Sequence, residues 1–150
     1  DTFMFEGHDT TASAISWVIY ALGKNPDLQQ KVYKDVCDVV GESDNITKDH
    51  LGRLTYLPKF IKEVLRYYSP VPLIGRVNHN QPIVLDGKEI PAGTIAWIHI
   101  YAIHHNESTW KNNMVFDPER FDAEHRDDND VYGFIPFSAG SRNCIGQKIA

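Results

Sequence analysis

Apolar residues recur every three or four positions through most of the first 68 residues, then give way to short runs separated by turn residues. Residues 3 to 22 form the first helical pattern, with Ile15, Val18, Ile19 and Leu22 on one face, and Gly23, Lys24, Asn25 and Pro26 end it. Pro26 opens a second helix over residues 26 to 40, where Leu28, Val32, Val36, Val39 and Val40 make an apolar stripe and Lys, Gln and Asp face outward. Cys37 belongs to the packing of that helix. After a polar loop at residues 41 to 45, Thr47 can cap a short helix. Pro58 can start a longer one through Phe60, Ile61, Val64, Leu65 and Tyr68, which Pro70 and Pro72 terminate.

The period then changes to two. Residues 75 to 78, 83 to 85, 89 to 90 and 94 to 100 read as strands, with a tight Asp86-Gly87 turn between the second and third, and together they predict one small antiparallel sheet. A short helix follows at residues 101 to 105. From there to Asn143 the chain is rich in Asp, Asn and Pro and shows little periodicity, and an irregular stretch of that length calls for a functional reason. The expected fold class is mainly α with a small antiparallel β-sheet, with no internal repeat and no second domain boundary.

At 150 residues, with 42% hydrophobic and 23% charged residues, the composition suits one globular unit rather than a disordered chain. A net charge of −5 with both signs dispersed and no basic stripe argues against a nucleic-acid surface. No run of 18 apolar residues is present, so nothing in these residues is expected to cross a membrane. The chain starts inside an apolar stretch without methionine and stops without a helix-stop signal, so residues 1–150 are expected to be part of a longer domain, truncated at both ends. The two cysteines sit in different settings, Cys37 in a helical pattern and Cys144 in a glycine loop, which favours two thiols over a disulfide. Asn45-Ile46-Thr47 and Asn106-Glu107-Ser108 are formal glycosylation triplets of the kind that arise often by chance.

The strongest chemical signal is Phe-Ser-Ala-Gly-Ser-Arg-Asn-Cys-Ile-Gly at residues 137–146. A thiolate that ligates a haem iron needs a tight loop with backbone N–H groups aimed at the sulfur, and Gly140 suits such a turn. Phe137 can shield the sulfur, Arg142 offers a forked cationic donor for a haem propionate, and Gly146 lets a following helix approach a flat macrocycle. An ordinary buried thiol beside a glycine turn is the plainer reading of a lone cysteine. The five positions Phe137, Gly140, Arg142, Cys144 and Gly146 coincide by chance roughly once in ten thousand chains of this length, which weighs against it.

These residues resemble the proximal loop of the cytochrome P450 family, Phe-x-x-Gly-x-Arg-x-Cys-x-Gly, with Ser141 where many members carry proline. The resemblance makes Cys144 the axial iron ligand and implies haem b as cofactor. It extends to Phe-Glu-Gly-His-Asp-Thr-Thr at residues 5–11, which is similar to the oxygen-binding helix of the family-4 branch. There Asp9 and Thr10 would serve proton delivery to dioxygen, and Glu6 would be a candidate for an ester bond to a haem methyl. By residue chemistry alone, Gly7 and the two threonines are poor helix interior, so a bulge or bend is expected there, and Phe3, Met4 and Phe5 point to burial. A solvent-facing polar patch is the plainer alternative.

Glu63 and Arg66 form an i,i+3 pair of a kind common on any helix surface. In the family such a pair locks to an arginine in a later Pro-Glu-Arg-Phe segment, here residues 118–121, so the resemblance implies a buried network of Glu63, Arg66 and Arg120 that pins the cysteine loop. Arg76 falls where the family places a second propionate contact, an exposed strand arginine being the alternative. His104 and His105 lack a third ligand at zinc spacing and are read as structural residues or as supports for the groups that ligate, and Asn106-Glu107 departs from the Asn-Pro common at this turn.

The resemblance therefore implies the C-terminal part of a haem-thiolate monooxygenase, from oxygen-binding helix to haem-cysteine loop, acting on an apolar substrate such as a fatty acid or xenobiotic. It further implies electrons from NADPH through NADPH-cytochrome P450 reductase, with cytochrome b5 as a candidate second donor, and a site on the cytosolic face of the endoplasmic reticulum membrane. A haem- or lipid-binding carrier or sensor on the same scaffold is the rival of a different class; a hydrolase is the poorer one, because no Gly-x-Ser-x-Gly elbow occurs.

Overall fold

The computed structural model describes residues 2–122 and 131–149, and of residues 2–6 the backbone only. Three helices make the core: α1 (Thr2–Lys24), α2 (Pro26–Val40) and, after the short α3 (Lys48–Arg53), α4 (Tyr56–Tyr68). The apolar stripes converge as the periodicity predicts. Ala21, Val32, Phe60 and Val64 are buried together, with Val18, Leu22, Leu28, Leu57 and Phe116 packed around them. Trp17 of α1 stacks flat on Tyr68 of α4 at 4.4 Å between ring centroids, fixing one end of the helix pair.

Helix α2 spans residues 26 to 40 as expected, with Pro26 in its first turn. Thr47 caps α3 in a capping box with His50. Helix α4 begins at Tyr56, two residues before Pro58, because its N-terminus is capped from another helix. The Asp35 carboxylate of α2 accepts from the backbone N–H groups of Thr55, Tyr56 and Leu57 and from the Thr55 hydroxyl. Burial pushes the Asp35 carboxyl up, but these hydrogen bonds outweigh it and hold the group below its ordinary value. Helix α4 ends at Ser69, whose left-handed φ of 40° stops the helix before Pro70.

The strands fall where the alternation placed them, but they form two antiparallel ribbons instead of one sheet. Strand β1 (Ile74–Val77) pairs with β4 (Ile95–Ile98), and β2 (Ile83–Leu85) pairs with β3 (Lys88–Ile90) across Asp86 and Gly87, both at positive φ. Gly75 lies opposite Trp97, and a Cβ there would meet the indole at 3.2 Å, so a side chain at this position would push the ring back by a few tenths of an ångström. Helix α5 (Ile100–His104) follows, and the irregular stretch contains 3-10 turns at Pro118–Phe121, packed on α4, and at Gly140–Arg142. No helix among the described residues is long and apolar enough to cross a membrane.

The expected bulge near Gly7 is absent: α1 runs without interruption from Thr2 to Lys24. One glycine costs about 1 kcal/mol against alanine, too little to break a helix whose other half is anchored in the core. The burial expected from Phe3, Met4 and Phe5 concerns side chains outside the described residues, while Gly7, His8, Asp9 and Thr10 are exposed in this chain.

Asp35→Ala should lower stability by about 1–2 kcal/mol, as loss of a helix cap does, read as a shifted denaturant midpoint at unchanged slope. Since the folded-state value is depressed, Asp35 contributes fully above the ordinary carboxylate value near 3.8 and loses that contribution as pH falls through the folded value. The variant should therefore show a flatter acid limb.

Candidate functional site

The site is built on the polar side of α4. Glu63 and Arg66 are both fully buried, and Arg66 is the largest fully buried side chain described. The pair is bidentate: Arg66 Nε donates to Glu63 Oε2 and Arg66 Nη2 to Oε1, each at 2.7 Å. Arg66 Nη1 donates to the carbonyls of His104 and Asn113, each at 2.9 Å, and Nη2 reaches the Val115 carbonyl at 3.3 Å. All five guanidinium N–H groups are thus engaged. Glu63 Oε1 also accepts from the Asp117 backbone at 2.8 Å and from Arg120 Nε at 3.2 Å.

Arg120, on the Pro118–Phe121 turn, is half-buried and donates to the carbonyls of Lys111, Asn112 and Val115. The structure therefore brings Glu63, Arg66 and Arg120 into one cluster, wrapped by the chain from His104 to Asp117 with its carbonyls turned inward. The surplus positive charge of two arginines over one carboxylate is met by those carbonyl dipoles.

His104 connects this cluster to the cysteine loop, a link the sequence did not disclose. It is fully buried at the end of α5. Its Nε2 accepts from the Ile135 backbone N–H at 3.0 Å, so the ring proton resides on Nδ1 and is donated to Ser69 Oγ at 3.2 Å. Ser69 donates onward to the Arg66 carbonyl at 2.9 Å. Burial, then the charge of Arg66 and His105, push His104 down to about 4. His105 turns the other way, donating Nδ1–H to the Tyr101 carbonyl of its own helix, so the adjacent histidines share no ligand position. Among the described residues no group of His, Cys, Asp and Glu is arranged to hold a metal ion.

The loop itself is tightly turned. Ser138 and Gly140 have φ of 64° and 79°. The Cys144 N–H donates to the Phe137 carbonyl at 2.9 Å, which closes the loop beneath the thiol. Arg76 Nη2, from β1, donates to Ser138 Oγ and to the Arg142 carbonyl, each at 3.2 Å, and Nη1 to the Gly75 carbonyl. Arg76 is thus a clamp across the loop, not a free strand arginine. Phe137 is half-buried, whereas Arg142 and Cys144 are exposed. The helix expected after Gly146 is a run of turns, with Ile149 N–H bonded to the Gly146 carbonyl at 2.8 Å. Glu6 lies outside the residues with described side chains, and Asp9 and Thr10 lie on the exposed part of α1.

The arrangement fits a planar, anionic macrocycle ligated by sulfur. The Cys144 thiol is exposed on a constrained loop, and a Cβ at Gly146 would enter the space beside it, 3.8 Å from Sγ. A cleft of about 400 Å³ next to the loop is lined by apolar Ile98, Ile103, Ile135 and Ala139, with the Arg76 guanidinium at its wall. A thiol exposed on a glycine turn, with its loop tied through Ile135 and His104 to a buried Glu–Arg cluster, is suited to carry a thiolate ligand.

The comparisons give that class its family. The cytochrome P450 family model matches residues 1–150. Cytochrome P450 4A2 of Rattus norvegicus is 47% identical over 150 residues, covering 100% of this chain and 29% of the relative. Cytochrome P450 4B1 of Homo sapiens is 45% identical over 150 residues with the same shares, and taurochenodeoxycholic 6 alpha-hydroxylase of Sus scrofa is 47% identical over 154 residues, again 100% and 29%. The chain belongs to the cytochrome P450 family and is of the family-4 type. It spans about 29% of the length of these curated relatives.

Two outcomes follow for the cluster. Glu63→Ala leaves Arg66 buried without its counter-ion and should cost about 3–5 kcal/mol, read by denaturant unfolding. The depressed His104 means that, as pH falls from 6.5 toward about 4, the unfolded chain binds a proton that the folded chain refuses. His104 should therefore contribute fully above pH 6.5 and lose roughly 1.4 kcal/mol per pH unit below it. Comparing unfolding midpoints at pH 7 and pH 5 with those of a His104→Gln variant isolates that slope.

Proposed function

We propose that these residues are the cofactor-facing part of a longer haem-thiolate monooxygenase that inserts one oxygen atom from dioxygen into a C–H bond of an apolar small molecule. The observation that carries this reading is the exposed thiol of Cys144 on a loop closed by the Phe137 carbonyl and clamped by Arg76. Coverage of 29% of each relative supports a longer domain. A haem b group bound there supplies the dioxygen chemistry, as thiolate-ligated haem does generally.

The chain's own residues would divide the work as follows. Cys144 presents its sulfur as thiolate, and Phe137 shields it from water on the loop side. Arg142, whose guanidinium is solvent-facing, and Arg76, with donors beyond those used on the loop, neutralise the propionates. Gly140 allows the left-handed turn of the loop, and Gly146 would leave room for the flat macrocycle beside the thiol. Asp9 and Thr10, adjacent on one turn of α1, hold and pass protons from solvent toward the reacting oxygen. Glu6, one turn earlier on α1, is the candidate for an ester with a haem methyl.

The lining of the cleft supports an apolar substrate. The relatives' names support a class broader than fatty acids, since one of them is a taurochenodeoxycholic 6 alpha-hydroxylase at the same 47% identity as cytochrome P450 4A2. Electrons are proposed to come from NADPH through a reductase, with cytochrome b5 as a second donor, and the setting to be the cytosolic face of the endoplasmic reticulum membrane; both rest on family kinship.

The reduced full-length protein should give a strongly red-shifted Soret band with carbon monoxide, and Cys144→Ala should abolish it. Bound haem without that band in the unsubstituted protein would remove the thiolate reading. Acid extraction tests Glu6 separately: haem retained by the protein supports the ester, and haem released completely excludes it. With a reductase and NADPH, Thr10→Ala should lower the rate of product formation by about a hundredfold, the low end of general acid–base contributions.

A further inference from the structure

A series of hydrogen bonds with fixed directions runs from the buried cluster to Ile135, and two peptide links continue it to the Phe137 carbonyl that holds Cys144. The Ile135 backbone can only donate, so His104 Nε2 must accept, its Nδ1 must carry the proton, and the Ser69 hydroxyl must pass its own proton to the Arg66 carbonyl. Arg66 in turn donates to the His104 carbonyl, so the ring is held at both its backbone and its side chain by the same α4 turn. Beyond Ile135 only Pro136, with its fixed φ, precedes Phe137, whose carbonyl receives the Cys144 N–H. The Ile135 carbonyl also accepts from Ser138 N–H at 3.0 Å, the residue that Arg76 clamps. Phe134 packs against the His104 ring at 5.3 Å, which leaves the imidazole little freedom to turn.

We infer that His104 is a positioning residue for the cysteine loop: by accepting the Ile135 N–H it registers the loop against the Glu63–Arg66 cluster and so sets where Cys144 presents its sulfur. The inference rests on the proposed function for what the sulfur ligates, but the link from His104 to Ile135 does not. Two substitutions separate acceptance from packing. His104→Gln places an amide oxygen near the Nε2 position and can still receive the Ile135 N–H. His104→Asn reaches only as far as Nδ1, keeping the Ser69 partner and losing Ile135.

Each variant is made in the full-length protein and read in two ways: amide hydrogen exchange at Ile135, Phe137 and Ser138, and the fraction of the reduced carbon monoxide complex in the red-shifted thiolate form. The expected result is exchange at Ile135 about tenfold faster in the Asn variant and near the unsubstituted rate in the Gln variant, a lost hydrogen bond being worth about a factor of ten. The thiolate fraction should fall in the Asn variant and recover in the Gln variant. Equal behaviour of the two, whether both intact or both impaired, would overturn the inference, because packing alone would then account for His104. A thiolate band missing from the unsubstituted protein would count against the proposed function only, and the exchange rates would still decide the role of His104.

Discussion

The rest of the structure depends on the buried Glu63–Arg66 pair. Taking both charges out of water is costly, and an ion pair repays that only when its geometry is good and every remaining donor and acceptor is met. Here five guanidinium N–H groups and four carboxylate acceptances are accounted for. Such complete satisfaction turns a marginal energetic asset into a strict geometric condition. Carbonyls from His104, Asn113 and Val115 must arrive together, so a stretch with no regular hydrogen-bond ladder acquires one conformation.

That condition explains how so short an element as α4 organises two regions at once. Its apolar side, Phe60 and Val64, is buried against α1 and α2, and its polar side carries Glu63 and Arg66. Asp35 fixes where α4 begins and Ser69 where it ends. A shift of the helix along its axis would therefore disturb the helical core and the carbonyl ring together. Lys59 adds an ion pair with Asp122 at the far edge of the same turn, the more exposed part of the assembly and the weaker contribution.

Much of this was legible in the sequence because the signals were local. Helices α1 and α2, the Thr47 cap and the Asp86-Gly87 turn follow from periodicity and turn chemistry within a few residues. The cysteine loop stood out in the sequence because five positions with distinct physical uses occur at fixed spacing. Two ribbons in place of one sheet were not, since nothing in the strands themselves says whether a hairpin pairs with its neighbours. The start of α4 was misplaced because its cap is Asp35, 20 residues earlier than Thr55, and no local pattern announces a cap delivered from another helix. His104 is the clearest case: side by side with His105 it resembles half of a metal site, and only the fold reveals that one ring points into the cluster and the other along its own helix.

The two ends of the site differ in kind, and the difference is physical. The groups that tie down the Cys144 loop are buried, mutually satisfied and fixed by backbone groups, which suits the ligand role proposed for Cys144. Arg142 on the loop and Asp9 and Thr10 on α1 are exposed in this chain. A proton-delivering group benefits from that contact with water, because desolvation would push a carboxyl toward its neutral form and end its turnover of protons. On the proposed function, the chain is ordered where sulfur must be placed and meets water where protons must move. Glu63 is the residue through which that order is specified.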